Sequence, residues 1–242
     1  MAEPVLTPAL QRIGATVECH VARDRYSVMG GAISAEMLEW FRREFGSEAR
    51  AKAAVRGCVD WETLMEEAAA SPIGSRGVLF LPHMGGSGCP VVDSRSRGGF
   101  AGLGTSATRG DMLRALLEGL DYQLLDIIEE MKRNVGFEVT RLVVAGGAVR
   151  NDFWLQNKAD VIGQPIEVPD VEDASPLGAA MLAGIGVGIY RDEADAFEQV
   201  RKPARMFHPD PKAAAAYARR FPLYKSLYPA LKAVSHAVTE EG

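Results

Sequence analysis

The chain has 242 residues, 47% hydrophobic and 24% charged, which is enough apolar surface for a sizeable core and excludes a mainly disordered chain. Its 27 Lys and Arg and 32 Asp and Glu give a formal net charge of -5, and no stretch is basic enough to coat a polyanion, so we expect no nucleic acid partner. Three scattered cysteines make no disulfide framework, which favours a reducing cytoplasm.

The pattern of the chain also predicts no export and no membrane insertion. Glu3 and two prolines lie in the first ten residues, where a secretory signal needs a cationic start and an unbroken apolar core. The most apolar stretch, residues 177–190, is interrupted by glycines and is far shorter than the roughly 20 residues that a membrane-spanning helix requires.

The first third of the chain predicts short elements followed by a Gly-rich connection at residues 85–104. These elements are a strand at 16–22, a helix at 34–45 after a Ser34 cap, a helix at 61–70 and a buried strand in GVLFLP.

The strongest helix signal covers residues 111–134, with apolar side chains at spacings of three and four and Gly136 as its stop. The segment TRLVVA at 140–145 then predicts a strand that is buried on both faces of a sheet.

The remaining pattern alternates between helices and strands. It predicts a helix at 151–162 with Asn151 as N-cap and Gly163 as stop, a strand at 164–168, a helix begun by Ser175 and Pro176, and a final helix at 211–234 interrupted at Pro222. The helix begun by Ser175 and Pro176 is rich in glycine and alanine, which would let another element approach closely. This order argues for an α/β fold with a partly parallel sheet that helices cover on both faces, and in such folds ligands bind beyond the carboxyl ends of the strands.

The most informative motif is VVAGGAVRNDFW, at residues 143–154. Two glycines after a strand let the backbone approach a ligand, and the next helix offers free N–H groups and its positive dipole end, which suits a nucleotide. A tight turn without a ligand explains the segment equally well. The dinucleotide-binding pattern GxGxxG is missing from this motif, and the phosphate-loop pattern GxxxxGK[ST] does not occur in the chain.

A second motif, FAGLGTSATRGD, places Thr105, Ser106 and Thr108 before the long helix. Hydroxyls at a helix start suit an anion, although helix capping is the simpler explanation.

Several other polar residues favour structural roles. Four dispersed histidines form no metal-binding pattern, and Cys89 has no activating partner in the sequence. Glu118 and Asp121 lie three apart on the long helix, where paired acid–base chemistry is the alternative to a solvated helix face. Glu172 and Asp173 precede a helix, where their charge stabilises the helix dipole and could contribute indirectly to binding Mg²⁺.

Taken in order, several long segments resemble the carboxyl-terminal half of the FGGY family of carbohydrate kinases. They are YSVMGGAISAEMLEWF, FLPHMGGSGCPVVD, RGGFAGL, DMLRALLEGLDYQL, VAGGAVRNDFWLQNKADVIGQPIEV, SPLGAAMLAGIGVGIY and FHPDPKAAAAYARRFPLYKSLYPAL. The resemblance covers nearly the whole chain from Thr16 onward, so residues 16–242 would form this domain and residues 1–15 an extension.

The resemblance implies an actin-like, ribonuclease-H-like ATPase domain with a mixed sheet flanked by helices, one of two domains that clamp ATP and a sugar or polyol. By position, Gly146, Gly147 and Ala148 would lie against the ribose and phosphates of ATP or ADP, and Asn151 on the adenine side. Thr105 and Ser106 would face the phosphates, although Gly104 stands where many members have threonine. Mg²⁺ would accompany the nucleotide.

The resemblance also implies that the amino-terminal half, with the sugar pocket and the Asp that accepts the hydroxyl proton, is not in this chain. We therefore predict no catalytic residue and no metal ligand here, and a chain that is inactive alone toward a pentulose, hexulose or polyol. Its partner would be a separate half or a second copy. The alternatives are a non-catalytic nucleotide-binding or interaction module and a structural domain with no ligand.

Overall fold

The structure, a computed structural model, describes residues 7–22, 24–32, 35–171, 173–201 and 203–241. The helices are α1 (Pro8–Arg12), α2 (Ala35–Phe45), α3 (Ser47–Arg56), α4 (Asp60–Ala70), α5 (Arg109–Val135), α6 (Asp152–Ile162), α7 (Ala174–Gly186), α8 (Glu193–Val200) and α9 (Pro211–Glu241). The strands are β1 (Thr16–Cys19), β2 (Tyr26–Met29), β3 (Leu79–Leu81), β4 (Gly99–Ala101), β5 (Leu142–Val143), β6 (Ile166–Pro169) and β7 (Ala204–Phe207).

The long helix α5 runs through the core and confirms the strongest sequence prediction. Thr108 and Asp111 form a reciprocal capping box at its start, and Gly136 ends it with a left-handed φ of 76°. Its first half is buried almost without interruption, against α2, α4 and β3 on one side and α9 on another. Most of the apolar area that stabilises the chain is therefore organised around this helix.

The strands form three small sheets. β1 pairs antiparallel with β2, and β3 with β4. The third sheet is mixed as predicted, because β6 pairs parallel with β5 and antiparallel with β7. The prediction that residues 140–145 are buried on both faces is wrong. β5 is a short edge strand, and Val143 is 50% exposed because helix α6 covers only the opposite face, where Ile166 is buried.

Most predicted helices are confirmed, with differences in which helices form and where they begin and end. The sequence analysis missed the short helices α1 and α8 and also α3, whose alanines give a weak apolar stripe. Helix α7 begins at Ala174 with Asp173 as its N-cap, so the predicted Ser175 cap is wrong: the Asp173 carboxylate accepts from the Ser175 N–H at 3.1 Å. Helix α9 continues through Pro222 to Glu241. The predicted Ser34 cap of α2 lies outside the described residues.

Helix α7 lies largely uncovered. Gly184 is its only buried residue among those described, and Leu182, Val187 and Ile189 in or just after it are 39%, 76% and 68% exposed. The structure gives α7 a helical neighbour in α8. An apolar helix face of this kind is unusual for a surface that meets only water.

Hydrogen bonds within the Gly-rich loop that follows β3, and from α9 to it, hold this loop in place. His83 Nδ1 and Ser96 Oγ, both buried, lie 2.7 Å apart, and Asp93 accepts from Tyr228 at 2.8 Å and His236 at 2.7 Å. Cys89 is fully buried in this loop, and burial raises the pKa of its thiol to about 11, which keeps it protonated and unreactive.

No helix in the described part of the chain is both long enough and apolar enough to cross a bilayer. The cytoplasmic location and the oligomeric partner stay predictions.

We expect His83 to make folding stability depend on pH. Burial lowers its pKa to about 4, so below about pH 6.5 the unfolded chain takes up a proton that folded His83 does not. The free energy of unfolding should therefore fall by about 2 kcal/mol between about pH 7 and pH 4.5 from this group. Urea unfolding of the wild type and of His83→Asn measures it: the variant should lose less stability over this interval, while His208→Asn, which changes an exposed side chain, should behave like the wild type. Equal losses in all three proteins would contradict this assignment.

Candidate functional site

A tight turn of two glycines connects β5 to α6. Gly146 has φ of 87°, a conformation that a side chain would strain, and the next four residues, Gly147–Arg150, form a single 3-10 turn. Both glycines are exposed, and a Cβ added at either would meet no atom within 4 Å. The backbone of the turn therefore faces open space, and close packing against the rest of the protein does not explain the two glycines.

Asn151 follows this turn and is the N-cap of α6. Its side-chain oxygen accepts from the Trp154 N–H at 2.8 Å, which leaves other first-turn amides of the helix open to a ligand. Arg205 of β7 braces the same turn, because its guanidinium donates to the Val149 carbonyl at 2.8 Å and also pairs with Asp152. The turn is therefore rigidly placed and carries the positive end of the α6 dipole.

A cleft of about 800 Å³ separates this turn from helices α2 and α4. Gly147, Asn151 and Trp154 line one side of it. The opposite side is built from α2 and from the start of α4, with the apolar side chains of Leu38, Trp61 and Met65. The volume is in the range of clefts that hold small organic ligands.

Charge is distributed unequally across the cleft. On the α2–α4 side, Arg42 pairs with Asp60 and with Glu39, both at 2.9 Å, and its guanidinium lies 5.8 Å from the centre of the Trp61 ring. The hydrogen bond to Asp60 raises the pKa of Arg42. On the turn side, Arg150 is exposed beside the start of α6. An anionic group is therefore favoured next to the turn, and hydrogen-bond donors are favoured next to the acidic wall.

The structure brings some of the predicted site residues together and leaves others apart. Gly147 and Asn151 line the cleft, and Gly146 forms the left-handed corner of the turn. Ala148 belongs to the same turn, but its side chain lies outside what the structure describes. Thr105 and Ser106 lie exposed in the loop before α5 and do not line this cleft, and Thr108 caps α5. Their role toward phosphate stays a prediction.

The expectation that Glu118 and Asp121 lie on a solvated helix face is wrong. They are 2% and 0% exposed, and hydrogen bonds satisfy both carboxylates. Burial raises the pKa of Asp121, opposed by the nearby Lys158 ammonium. The apolar residues that surround these two on α5 could have signalled their burial, because a charge inside such a stretch needs internal partners.

A further sequence expectation concerns Mg²⁺. Asp173 caps α7, whereas Glu172 lies outside the described residues. Within the described ranges, no three metal-ligating side chains come together. The sequence analysis missed the α2–α4 wall altogether, because Arg42, Asp60 and Trp61 are ordinary surface residues until the fold places them opposite the turn.

Known proteins with similar sequences include carbohydrate kinases. The family model described as the C-terminal domain of the FGGY family of carbohydrate kinases matches residues 5–187. Xylulose kinase from Bacillus subtilis strain 168 is 32% identical over 220 residues, which are 90% of this chain and 42% of the relative. The chain thus spans less than half the length of such relatives.

Solved structures give a similar result. A gluconate kinase from Lactobacillus acidophilus superposes with a TM-score of 0.79 at 25% identity, over 95% of this chain and 44% of its own. Plasmodium falciparum glycerol kinase, solved with ADP, superposes with a TM-score of 0.64 at 25% identity, over 83% of this chain and 38% of its own. These neighbours confirm the predicted actin-like ATPase fold.

Asn151 provides a direct test of the local structure of the site. Asn151→Ala removes the cap of α6, so we expect the free energy of unfolding to fall by about 1 kcal/mol. Asn151→Asp keeps a capping oxygen at a helix start where negative charge is favourable, so its stability should match or exceed that of the wild type. Urea denaturation measures both variants. An alanine variant as stable as the aspartate variant would show that the cap contributes nothing.

Proposed function

The chain belongs to the FGGY family of carbohydrate kinases, as its C-terminal domain, and from this premise we propose that it is the ATP-binding half of a sugar kinase. The reaction of the complete enzyme would transfer the γ-phosphoryl group of ATP to a hydroxyl of a pentulose, hexulose or polyol. The relatives and structural neighbours described above are kinases of xylulose, which is a pentulose, of glycerol, which is a polyol, and of gluconate, which is a sugar acid. They do not choose one of these substrates for this chain.

One observation carries the proposal: an open glycine turn at a helix start faces a cleft of about 800 Å³. The triphosphate would lie against Gly147 and the amides of the first turn of α6, because no Cβ obstructs the approach and the dipole favours negative charge. The base would lie against Leu38, Trp61 and Met65 across the cleft and not beside Asn151 as the family resemblance implies, because Glu39 and Asp60 there offer acceptors to an exocyclic amine. Both ends of a nucleotide thus meet suitable chemistry.

Mg²⁺ would enter with the nucleotide. No set of three ligating side chains converges among the residues that the structure describes, so oxygens of the phosphates and water would hold the ion. Bound there, Mg²⁺ neutralises phosphate charge during transfer. The contribution of this chain is to fix the phosphates through backbone amides.

Transfer also requires a positioned hydroxyl and a base. The bond between the γ-phosphorus of ATP and the oxygen that bridges it to the β-phosphorus breaks as the substrate hydroxyl oxygen bonds to the γ-phosphorus. The hydroxyl proton passes to a carboxylate base, and ADP leaves with the electron pair of the broken bond. We propose that an amino-terminal half supplies this base and the sugar pocket, either in the same polypeptide or as a separate one. The exposed apolar face of α7 and the length of the relatives support this requirement.

The glycine turn gives the sharpest test of nucleotide binding. Gly147→Ala adds a methyl group that meets no protein atom within 4 Å, so the fold should be unaffected, whereas the Kd for MgATP should rise at least about tenfold if phosphate approaches the backbone. Gly147→Asp should weaken binding further through charge repulsion. Isothermal titration calorimetry measures both variants.

Gly178 on α7 provides the matched control, because a Cβ there also meets no atom within 4 Å and Gly178 does not line the cleft. Gly178→Ala and Gly178→Asp should bind MgATP like the wild type. Wild-type binding in a stable Gly147→Ala protein would contradict the placement of phosphate at this turn, and no heat with millimolar nucleotide in the wild type would contradict the proposed function itself.

Catalysis separates the kinase half from a non-catalytic nucleotide-binding module. The 242-residue chain alone should not phosphorylate D-xylulose, gluconate or glycerol at a useful rate. Mixed with a separately expressed amino-terminal half of the Bacillus subtilis xylulose kinase, it should give ATP-dependent phosphorylation that neither part gives alone, measured as ADP release. Nucleotide binding without such activity, in a mixture shown to form a complex, would favour the non-catalytic module. Rapid turnover by the chain alone would contradict the need for a second half.

A further inference from the structure

Two of the buried carboxylates of helix α5, Glu118 and Asp121, lie one turn apart and accept from different donors. Glu118 accepts from the Gly74 N–H, the Ser75 hydroxyl and Arg114, each at 2.9 Å, and lies 3.0 Å from the Tyr217 hydroxyl. Asp121, one turn further along, accepts only from helix α6 among the described residues. Its three donors are the Trp154 indole N–H at 3.1 Å, the Asn157 amide at 2.7 Å and the Lys158 ammonium at 2.5 Å.

The donors of Asp121 occupy one face of α6, because residues at spacings of three and four lie on the same side of a helix. One carboxylate therefore fixes both the rotation of α6 about its axis and its height along α5. The Lys158 ammonium also lies 4.8 Å from the centre of the Trp154 ring, so the indole is held at its N–H edge and on its face.

Trp154 connects this buried cluster to the cleft. Its side chain lines the cleft, and its backbone N–H is the one that Asn151 caps. The indole is 7% exposed, so it has little freedom to move independently of Asp121. A shift of α6 relative to α5 would therefore displace Asn151 and the glycine turn as well.

The cluster requires a carboxylate in particular. Tyr217 Oη lies 2.5 Å from the Asn157 side-chain oxygen, which turns the amide nitrogen of Asn157 toward Asp121. All three groups facing Asp121 are then donors, and an amide at position 121 would oppose one of them with a donor of its own.

We propose that Asp121 is a positioning residue for the nucleotide site: it holds Trp154, and through it the Asn151 turn, in the geometry that accepts phosphate. This inference rests on the proposed function for its ligand. It concerns a residue that touches neither cleft nor nucleotide.

The test compares Asp121→Asn with Glu118→Gln in the full chain. Both remove a buried carboxylate from α5 with little change in volume, and both should lower stability in urea denaturation. Only Asp121→Asn should raise the Kd for MgATP, by about tenfold, the change expected when one buried donor loses its acceptor. Glu118→Gln should bind within about twofold of the wild type, because none of its partners lines the cleft and because its one connection to Asn157, through the Tyr217 hydroxyl, leaves the shorter Tyr217–Asn157 hydrogen bond in place.

A readout without nucleotide keeps the inference testable if the chain binds none. Hydrogen exchange of the peptide that covers residues 144–156, normalised to β3, should be faster in Asp121→Asn than in Glu118→Gln. The double variant Asp121→Asn/Lys158→Met should recover stability, since it removes the uncompensated ammonium, while exchange in residues 144–156 stays fast. These results support positioning as distinct from global stability.

Two results would overturn the inference. Equal exchange in residues 144–156 for the two single variants would show that Asp121 does not hold this segment, whether or not the wild type binds nucleotide. Equal Kd values for MgATP in Asp121→Asn and the wild type would show that the cleft does not depend on it. Absence of binding by the wild type, with the exchange difference present, would contradict only the proposed function.

Discussion

A carboxylate that is removed from water must find donors inside the protein, and this requirement determines how the helices of this chain meet. Asp121 holds α6 against α5 through hydrogen bonds. Glu118 holds the turn at residues 74–75, and its carboxylate lies 3.0 Å from the Tyr217 hydroxyl of helix α9. The surrounding apolar contacts supply most of the free energy of folding but specify the relative orientation of the helices only loosely. The hydrogen bonds of Asp121 and Glu118 specify that orientation, because they fix the rotation and register of the helices where aliphatic side chains tolerate several arrangements.

Local chemistry explains which parts of the fold were predictable. The capping box of α5, the Gly136 and Gly163 stops and the Asn151 cap depend on neighbouring residues alone, and each was readable from the sequence. The Ser175 prediction was wrong because the helix begins before this residue: Asp173 accepts from the Ser175 N–H, which places Ser175 inside the first turn. The exposure of Val143 could not be predicted, since it depends on which helix covers which face of a short sheet.

The site shows the same division. Its turn was recognisable because two glycines directly after a strand indicate a special backbone conformation or a close approach. Its opposite wall was not recognisable, because Arg42, Asp60 and Trp61 line a cleft only once the fold has placed α2 and α4. The error at Glu118 and Asp121 has a related cause: charged residues on a helix usually face solvent, and apart from Arg114 the groups that hydrogen-bond these two carboxylates lie from 33 to 99 residues away. Sequence reasoning therefore found the glycine turn of the candidate site and missed the side chains that hold it in place.

The brace supplied by Arg205 has a consequence for biosynthesis. The carbonyl that it binds, at Val149, precedes it by 56 residues, and the Tyr217 hydroxyl that orients Asn157 follows later still. During translation the glycine turn leaves the ribosome well before the side chains that fix it, so the nascent chain carries an incomplete pocket until β7 and the first turns of α9 have emerged. The last quarter of the polypeptide thus completes a site whose recognisable motif lies upstream, and truncation there would disable the pocket without touching the motif.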